Sequence, residues 1–187
     1  MKQNRCAWCL SDPIYIAYHD QEWGKPIYDD QTLFAMLCLE AMQTGLSWLT
    51  ILKRRANYYA AFDGFDLHKI AQYDEQKVDE LMQNDGIIRH RAKIQAIINN
   101  AKAYLRIAEQ QSFADYLWGL TTTDGKPIVN RPVQLQDIPT QTDVSAKLAK
   151  QLKKDGFAFV GATTCYAFMQ AAGMVNDHLQ SCDFADC

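Results

Sequence analysis

Proline and glycine are scarce in this chain: five and nine among 187 residues. That excludes a collagen-like or linker-rich polypeptide. Neither sign of charge dominates. The formal net charge is -3, which argues against a uniformly basic, histone-like nucleic-acid binder and leaves room only for a local basic patch. No run approaches the roughly 18 apolar residues of a membrane span; the densest stretch, Leu33 to Met42, is interrupted by Glu40. The first residues, Met1-Lys-Gln-Asn-Arg5, are polar, and no apolar signal region follows them. A cytoplasmic location is the resulting expectation. In that compartment the six cysteines read as reduced thiols or metal ligands before disulfides.

Hydrophobic residues make up 48% of the chain and charged residues 22%, an ordinary globular balance. The length fits one domain, at most with two lobes, and buries a core without staples. Periodicity is helical nearly throughout, and alternating strands are absent, which argues against a Rossmann or other α/β architecture. Asp29-Asp30-Gln31-Thr32 opens a helix that stops near Gly45, and Ser47 opens another that runs through Trp48, Ile51 and Leu52 toward Tyr58 and Phe62. Asp74-Glu75 leads into a third, closed by Gly86. Residues 90 to 109 predict a long helix. Asp143 or Ser145 caps a lysine-rich helix ending at Gly156, and residues 162 to 172 predict one closed by Gly173. Residues 121 to 142 carry three prolines and no periodicity. They predict a surface connection long enough to suggest a functional segment.

Glu40 shares a helical face with Leu33 and Leu37. A charge on an apolar face is costly unless it is paired or its pKa rises. Two readings stand: a glutamate at the edge of the face or satisfied by an arginine, and a carboxylate on the floor of a pocket, acting as acceptor or base. Trp48 follows, and Tyr15, Tyr18 and Trp23 crowd the segment Asp12-Pro-Ile-Tyr-Ile-Ala-Tyr-His-Asp-Gln-Glu-Trp-Gly24. Aromatics at such spacing are usually core. With a carboxylate they are also the equipment that holds a flat ring, by stacking on its face and hydrogen bonding at its edge.

Candidate metal ligands gather at the two ends of the chain. Cys6 and Cys9 form Cys-x-x-Cys, His19 lies near, His178 and Cys182 stand four apart as on one helical face, and Cys187 is terminal. A Cys2His2 zinc would tie the two ends together. With four protein ligands it is structural, whereas a catalytic zinc needs an open position. Two segments concentrate positive charge: Arg89, Arg91, Lys93, Lys102 and Arg106 in one, Lys147, Lys150, Lys153 and Lys154 in the other. Between the helix ending at Gly156 and the one starting near Gly161 lies a tight turn. The N–H groups it presents bind phosphate without reading sequence, and the alternative is an ordinary αα-hairpin.

Several stretches together resemble the DNA-3-methyladenine glycosylase I family of the helix-hairpin-helix superfamily. They are Arg5-Cys-Ala-Trp8, Asp12 to Gly24, Leu39-Glu-Ala-Met-Gln-Thr-Gly-Leu-Ser-Trp48, Gly86-Ile-Ile-Arg-His-Arg-Ala-Lys-Ile94, Gly156-Phe-Ala-Phe-Val-Gly161 and Val175-Asn-Asp-His178. The connection at 121 to 142 is least covered. The resemblance implies an all-α, two-lobed helix-hairpin-helix glycosylase fold over residues 1–187, with the hairpin near 145–173. It implies a monofunctional glycosylase that flips and excises 3-methyladenine in base excision repair. Its partner is double-stranded DNA containing alkylated adenine, with no membrane, and a monomer is expected. Glu40 is the implied catalytic residue, and Tyr15, Tyr18, Trp48, Trp8 and Trp23 the implied base-binding set. Gly45 and Leu46 would lie near the gap left by the extruded nucleotide, and Gly161, Thr163, Lys153 and Lys154 on the DNA backbone. A structural zinc falls to Cys6, His19, His178 and Cys182, leaving Cys9 and Cys187 outside. Relatives that cleave the strand carry a lysine where Thr163 stands, which disfavours a lyase. Asp177 takes an orienting or capping role beside His178. Two rivals remain: a non-catalytic zinc-stapled DNA-binding module and a zinc-dependent hydrolase.

Overall fold

The computed structural model describes residues 3–185. A short 3-10 turn, Ala7–Cys9, leads into α1 (Pro13–Gln21), which Asp12 caps by accepting from the Ile14 N–H and which carries proline in its first turn. Next comes α2 (Asp30–Gln43), capped by Asp29. Every residue from Leu33 to Met42 is buried, so that stretch of α2 has no wet face and forms the axis of the molecule. The helix expected from Ser47 to Phe62 breaks at Lys53–Arg54 into α3 (Trp48–Leu52) and α4 (Arg55–Ala61). A left-handed bend at Asp63, Gly64 and Phe65 then precedes α5 (Leu67–Ala71). After α6 (Glu75–Gln83) comes the long α7 (Arg91–Ala108), matching the predicted helices there. Next is α8 (Phe113–Thr121); Asp30 joins its start to α2 by accepting from the Phe113 and Ala114 N–H groups.

The connection predicted at 121–142 is more ordered than its composition suggests. It contains β1 (Ile128–Val129) and a 3-10 turn at Leu135–Asp137, where the Asp137 carboxylate accepts from the Val133 and Gln134 N–H groups. The lysine-rich α9 (Asp143–Lys154) follows. Its cap is Thr142 rather than Asp143 or Ser145; Thr142 and Ser145 exchange hydrogen bonds in a reciprocal box. Then come α10 (Ala162–Ala171) and β2 (Val175–Asn176). The two short strands pair in parallel, Ile128 opposite Val175 and Val129 opposite Asn176. Two residues give no readable alternation, which is why the sequence hides them. Among the described residues no helix is long and apolar enough to cross a membrane.

The turn between α9 and α10 is held from below. Asn100 of α7 accepts from the Ala158 N–H and donates to the Ala158 carbonyl. Gly156 has φ +98, while Gly161 has φ -72, a value open to any residue. The second left-handed residue of the turn is Phe159, φ +57, rather than a glycine.

Gly173 closes α10 at φ +69, and a Cβ there would lie 2.1 Å from the Lys25 backbone carbon. Both the left-handed backbone and the backbone contact forbid a side chain. Gly173→Ala should therefore lower the free energy of unfolding by more than about 2 kcal/mol. Urea denaturation checks this, and an unchanged midpoint would contradict the close approach of residues 25 and 173.

Candidate functional site

Six residues singled out in the sequence meet in one cavity of about 250 Å³. Trp8 comes from the first turn, Tyr15 and Tyr18 from α1, Trp23 from just beyond it, Glu40 from α2 and Trp48 from the start of α3. The walls are aromatic and mutually braced. The Trp8 ring meets Tyr15 at 4.8 Å and Trp23 at 4.9 Å, both edge to face, and Tyr18 lies 5.5 Å from Trp48.

Glu40 lies in the cavity rather than at an exposed edge of its face or beside an arginine. It is 4% exposed, and its carboxyl has neither a hydrogen bond nor an arginine among the described residues. Burial alone pushes its pKa up to about 8. The indole N–H of Trp48 is also buried without an acceptor. An unpaired acid and an orphan donor in one cavity are polar groups left for a guest. Burial, reinforced by the Glu40 charge, raises the pKa of Tyr15 and Tyr18, so both phenols stay neutral.

Five further residues line the cavity with no signal in the sequence: Gln43 at the end of α2, Leu135 and Ile138 from the 121–142 connection, and Ala167 and Gln170 of α10. They are polar or aliphatic residues, and all but Gln43 lie on segments remote in the chain from the aromatic cluster. Asp177 accepts from Asn130 Nδ2, Tyr166 Oη and Gln170 Nε2 at 2.7–2.8 Å. It orients these side chains.

Cys6 Sγ, His19 Nε2, His178 Nδ1 and Cys182 Sγ lie within 4.8 Å of one another, all buried. Cys182 Sγ is 3.5 Å from both His19 Nε2 and His178 Nδ1, and Cys6 Sγ is 3.8 Å from His178 Nδ1. A zinc tetrahedron has sulfur–nitrogen edges of about 3.6 Å, given its usual bond lengths. The outer nitrogens are spoken for: His19 Nδ1 lies 2.8 Å from Asp20 Oδ1, itself held by Arg5, and His178 Nε2 lies 3.1 Å from the Trp23 carbonyl. Donation to these oxygens leaves the inner nitrogens bare, the tautomer a metal requires. Burial keeps both imidazoles neutral, His178 falling to about 4, and pushes the Cys6 thiol up to about 12. Thiolates here need a cation. The donor set fits zinc. The expected helical face for His178 and Cys182 is corrected: they sit in the loop after β2, where a turn brings them together. Cys9 points away, its thiol donating to the Cys6 carbonyl. Cys187 lies outside the described residues.

The residues expected on nucleic acid are not gathered in the cavity. Gly45 (φ +81) and the 39%-exposed Leu46 form the turn after α2. Lys153 and Lys154 are exposed at the end of α9, and Thr163 is exposed in the first turn of α10, whose Gly161 cap provides no side-chain acceptor. α10 carries Ala167 and Gln170 to the cavity, so its amide end and the pocket are about two turns apart on one rigid rod. One basic residue departs from expectation: Lys93 is buried, its ammonium donating to the Met42 and Thr44 carbonyls at the end of α2. It fixes the Gly45–Leu46 turn rather than facing solvent. Arg91 pairs with Glu75 and Asp79.

An aromatic-walled cavity with a buried acid on a mostly helical frame has the shape and chemistry to suit a flat, polar-edged ring. The family model for methyladenine glycosylase matches residues 8–186. A DNA-3-methyladenine glycosylase of Haemophilus influenzae is 52% identical over 179 residues, 95% of this chain and 96% of that one. A crystal structure of 3-methyladenine DNA glycosylase I aligns with a TM-score of 0.93 and 54% identity, covering 96% of this chain and 98% of the other. The Staphylococcus aureus glycosylase I, whose structure addresses 3-methyladenine recognition, aligns at 0.93 with 41% identity over 98% and 97%. This chain belongs to the methyladenine glycosylase family.

Glu40 ties pH to stability. In the unfolded chain it titrates near about 4.3; in the fold it holds its proton to about 8. Stability from the neutral acid is full below the unfolded value and is lost as pH rises through the folded one. The Glu40 contribution to the unfolding free energy should therefore fall between about pH 5 and pH 8. Glu40→Gln should lack that slope, so the gap between the proteins widens by roughly 3–5 kcal/mol. Urea titrations across the range check it, and parallel curves would remove the buried acid.

Proposed function

We infer that this protein excises 3-methyladenine from alkylated DNA, hydrolysing the N-glycosidic bond and leaving an abasic site for base excision repair. The observation that carries the reading is Glu40, a buried and unpaired acid facing aromatic walls, in a chain 52% identical to a DNA-3-methyladenine glycosylase.

N3 methylation gives adenine a positive charge and weakens its bond to the sugar. When that bond breaks, its electron pair goes to the base, which leaves neutral. Water adds to C1′ of the sugar and gives up a proton. The cationic base rests between π faces from Trp48 and Tyr15, an interaction worth about 1–2 kcal/mol when desolvated. Glu40 meets the edge of the ring, with Tyr18 beside it. A cation in contact with Glu40 offsets the burial that holds its proton. Thr163 offers no amine for a Schiff base, so the strand is not cleaved.

The α9–α10 turn is read as the helix-hairpin-helix element of a single two-lobed domain. Its free amides and Lys153 and Lys154 take backbone phosphates. The Gly45–Leu46 turn fills the gap beside the extruded nucleotide. Action as a monomer is part of this reading.

The deciding experiment is incubation with methylated duplex DNA, without added cofactor. 3-Methyladenine should be released and the abasic strand should stay intact. Glu40→Gln should slow release while overall DNA affinity holds, and Trp48→Ala should weaken base binding by about 1–3 kcal/mol. DNA binding without release by the wild-type chain would favour the binding-module reading.

Zinc held by Cys6, His19, His178 and Cys182 would have four protein ligands and would serve as a structural staple. One zinc per chain is expected by elemental analysis. Cys182→Ala should lower the melting temperature more than it lowers the specific activity of the protein that stays folded. Metal-free protein with unchanged melting would exclude the staple, and loss of activity without loss of fold would favour the hydrolase.

A further inference from the structure

Asp177 is 1% exposed and holds three donors from three places: Asn130 just beyond β1, and Tyr166 and Gln170 on α10. It is a buried carboxylate that neither base excision nor the metal cluster employs. One of its partners, Gln170, lines the same cavity as Glu40. This contact fixes the direction of the amide. A carboxylate only accepts, so the end of Gln170 that lies 2.7 Å from Asp177 Oδ2 is the NH2 group. The carbonyl Oε1 is then the opposite end, and it has no hydrogen bond among the described residues. Asn130 donates to Asp177 Oδ1 and Tyr166 shares Oδ2 with Gln170, so the amide is oriented by a rigid, satisfied group.

We propose that Gln170 is a specificity-determining residue: its Oε1, aimed by the positioning residue Asp177, accepts a hydrogen bond from the exocyclic amine of a bound adenine. The proposal rests on the excision reading above and names what that reading leaves open, how the pocket tells methylated adenine from methylated guanine. The two bases share the purine frame and, when methylated at N3, charge, although guanine adds an amine at C2 and a proton at N1. Stacking and the acid at position 40 attract both. They differ at C6, where adenine carries an amine donor and guanine a carbonyl acceptor. A fixed acceptor pairs with the first and faces lone pairs on the second. A free glutamine would turn over and present its NH2 group to guanine; the hydrogen bond to Asp177 prevents that turn.

The test uses the full-length protein and two free bases, 3-methyladenine and 3-methylguanine. Affinity is read by quenching of tryptophan fluorescence, and release of each base is read from methylated DNA. Wild type should favour 3-methyladenine. Gln170→Leu should reduce the ratio of the two affinities by about ten-fold, mostly through weaker 3-methyladenine binding. Asp177→Asn should move the ratio the same way although Gln170 is untouched, because the amide introduced there can donate and Gln170 can then turn its NH2 group inward. A merely structural role would weaken both bases together and leave the ratio in place, and that result overturns the proposal. Zinc content and melting temperature report whether Asp177→Asn stays folded. If it does not, the Gln170→Leu ratio decides alone. A wild-type protein that releases 3-methyladenine while the Gln170→Leu ratio stays unchanged sinks this inference and leaves the excision reading intact. Failure of wild type to bind either base sinks both.

Discussion

The whole structure is organised by the burial of α2. Ten consecutive residues, Leu33 to Met42, are removed from water. A helix without a wet face must be surrounded, and α3, α7, α8 and α10 all pack on it. The same burial takes Glu40 out of solvent. Because the carboxyl finds no partner in the wall, the fold stores an unfavourable desolvation at one point and leaves it to be met by whatever enters the cavity. The end of α2 is also fixed: Lys93 reaches from α7 to satisfy the carbonyls of Met42 and Thr44, a cation at the negative end of a helix. The acid and the exposed Gly45–Leu46 turn thus stand at set positions on one element.

The metal cluster and the pocket share walls. Tyr18 and His19 are adjacent on α1, one turned to the cavity and the other to the cluster. Trp23 lines the cavity, packs edge to face on His178 at 4.6 Å, and supplies the carbonyl that fixes that imidazole. Clamping α1 to the loop after β2 therefore holds the aromatic walls as well as the chain ends. A structural ion bound there would limit how far Trp8, Trp23 and the two tyrosines can move, without touching the reacting atoms.

Much of the site was legible because its chemistry is unusual for its surroundings. Glu40 stands out among leucines, and tyrosines and tryptophans crowd a short stretch; the structure brings all of these into one cavity. The four cluster residues were visible as residue types, and their selection over Cys9 came from the family resemblance. Gln43, Gln170 and Leu135 were not visible. Glutamine and leucine are common on any helix or loop, and nothing local marks one that faces a cavity. Lys93 misled in the opposite direction. In the sequence it belongs to a basic run, yet the carbonyls that receive it lie about 50 residues away in the chain.

By itself the sequence determined the helical character, most helix starts and the presence of an acid on an apolar face. These follow from spacing and from capping side chains that act over three or four residues. Only the tertiary structure decided which of two readings Glu40 obeys, which way the amide of Gln170 points, and that His178 and Cys182 converge from a loop rather than a helix. Burial and hydrogen-bond direction depend on groups that meet across the chain; Cys6 and His178 are 172 residues apart. No local pattern carries that information, because the energy that selects it is gained only when the distant segments are already in place.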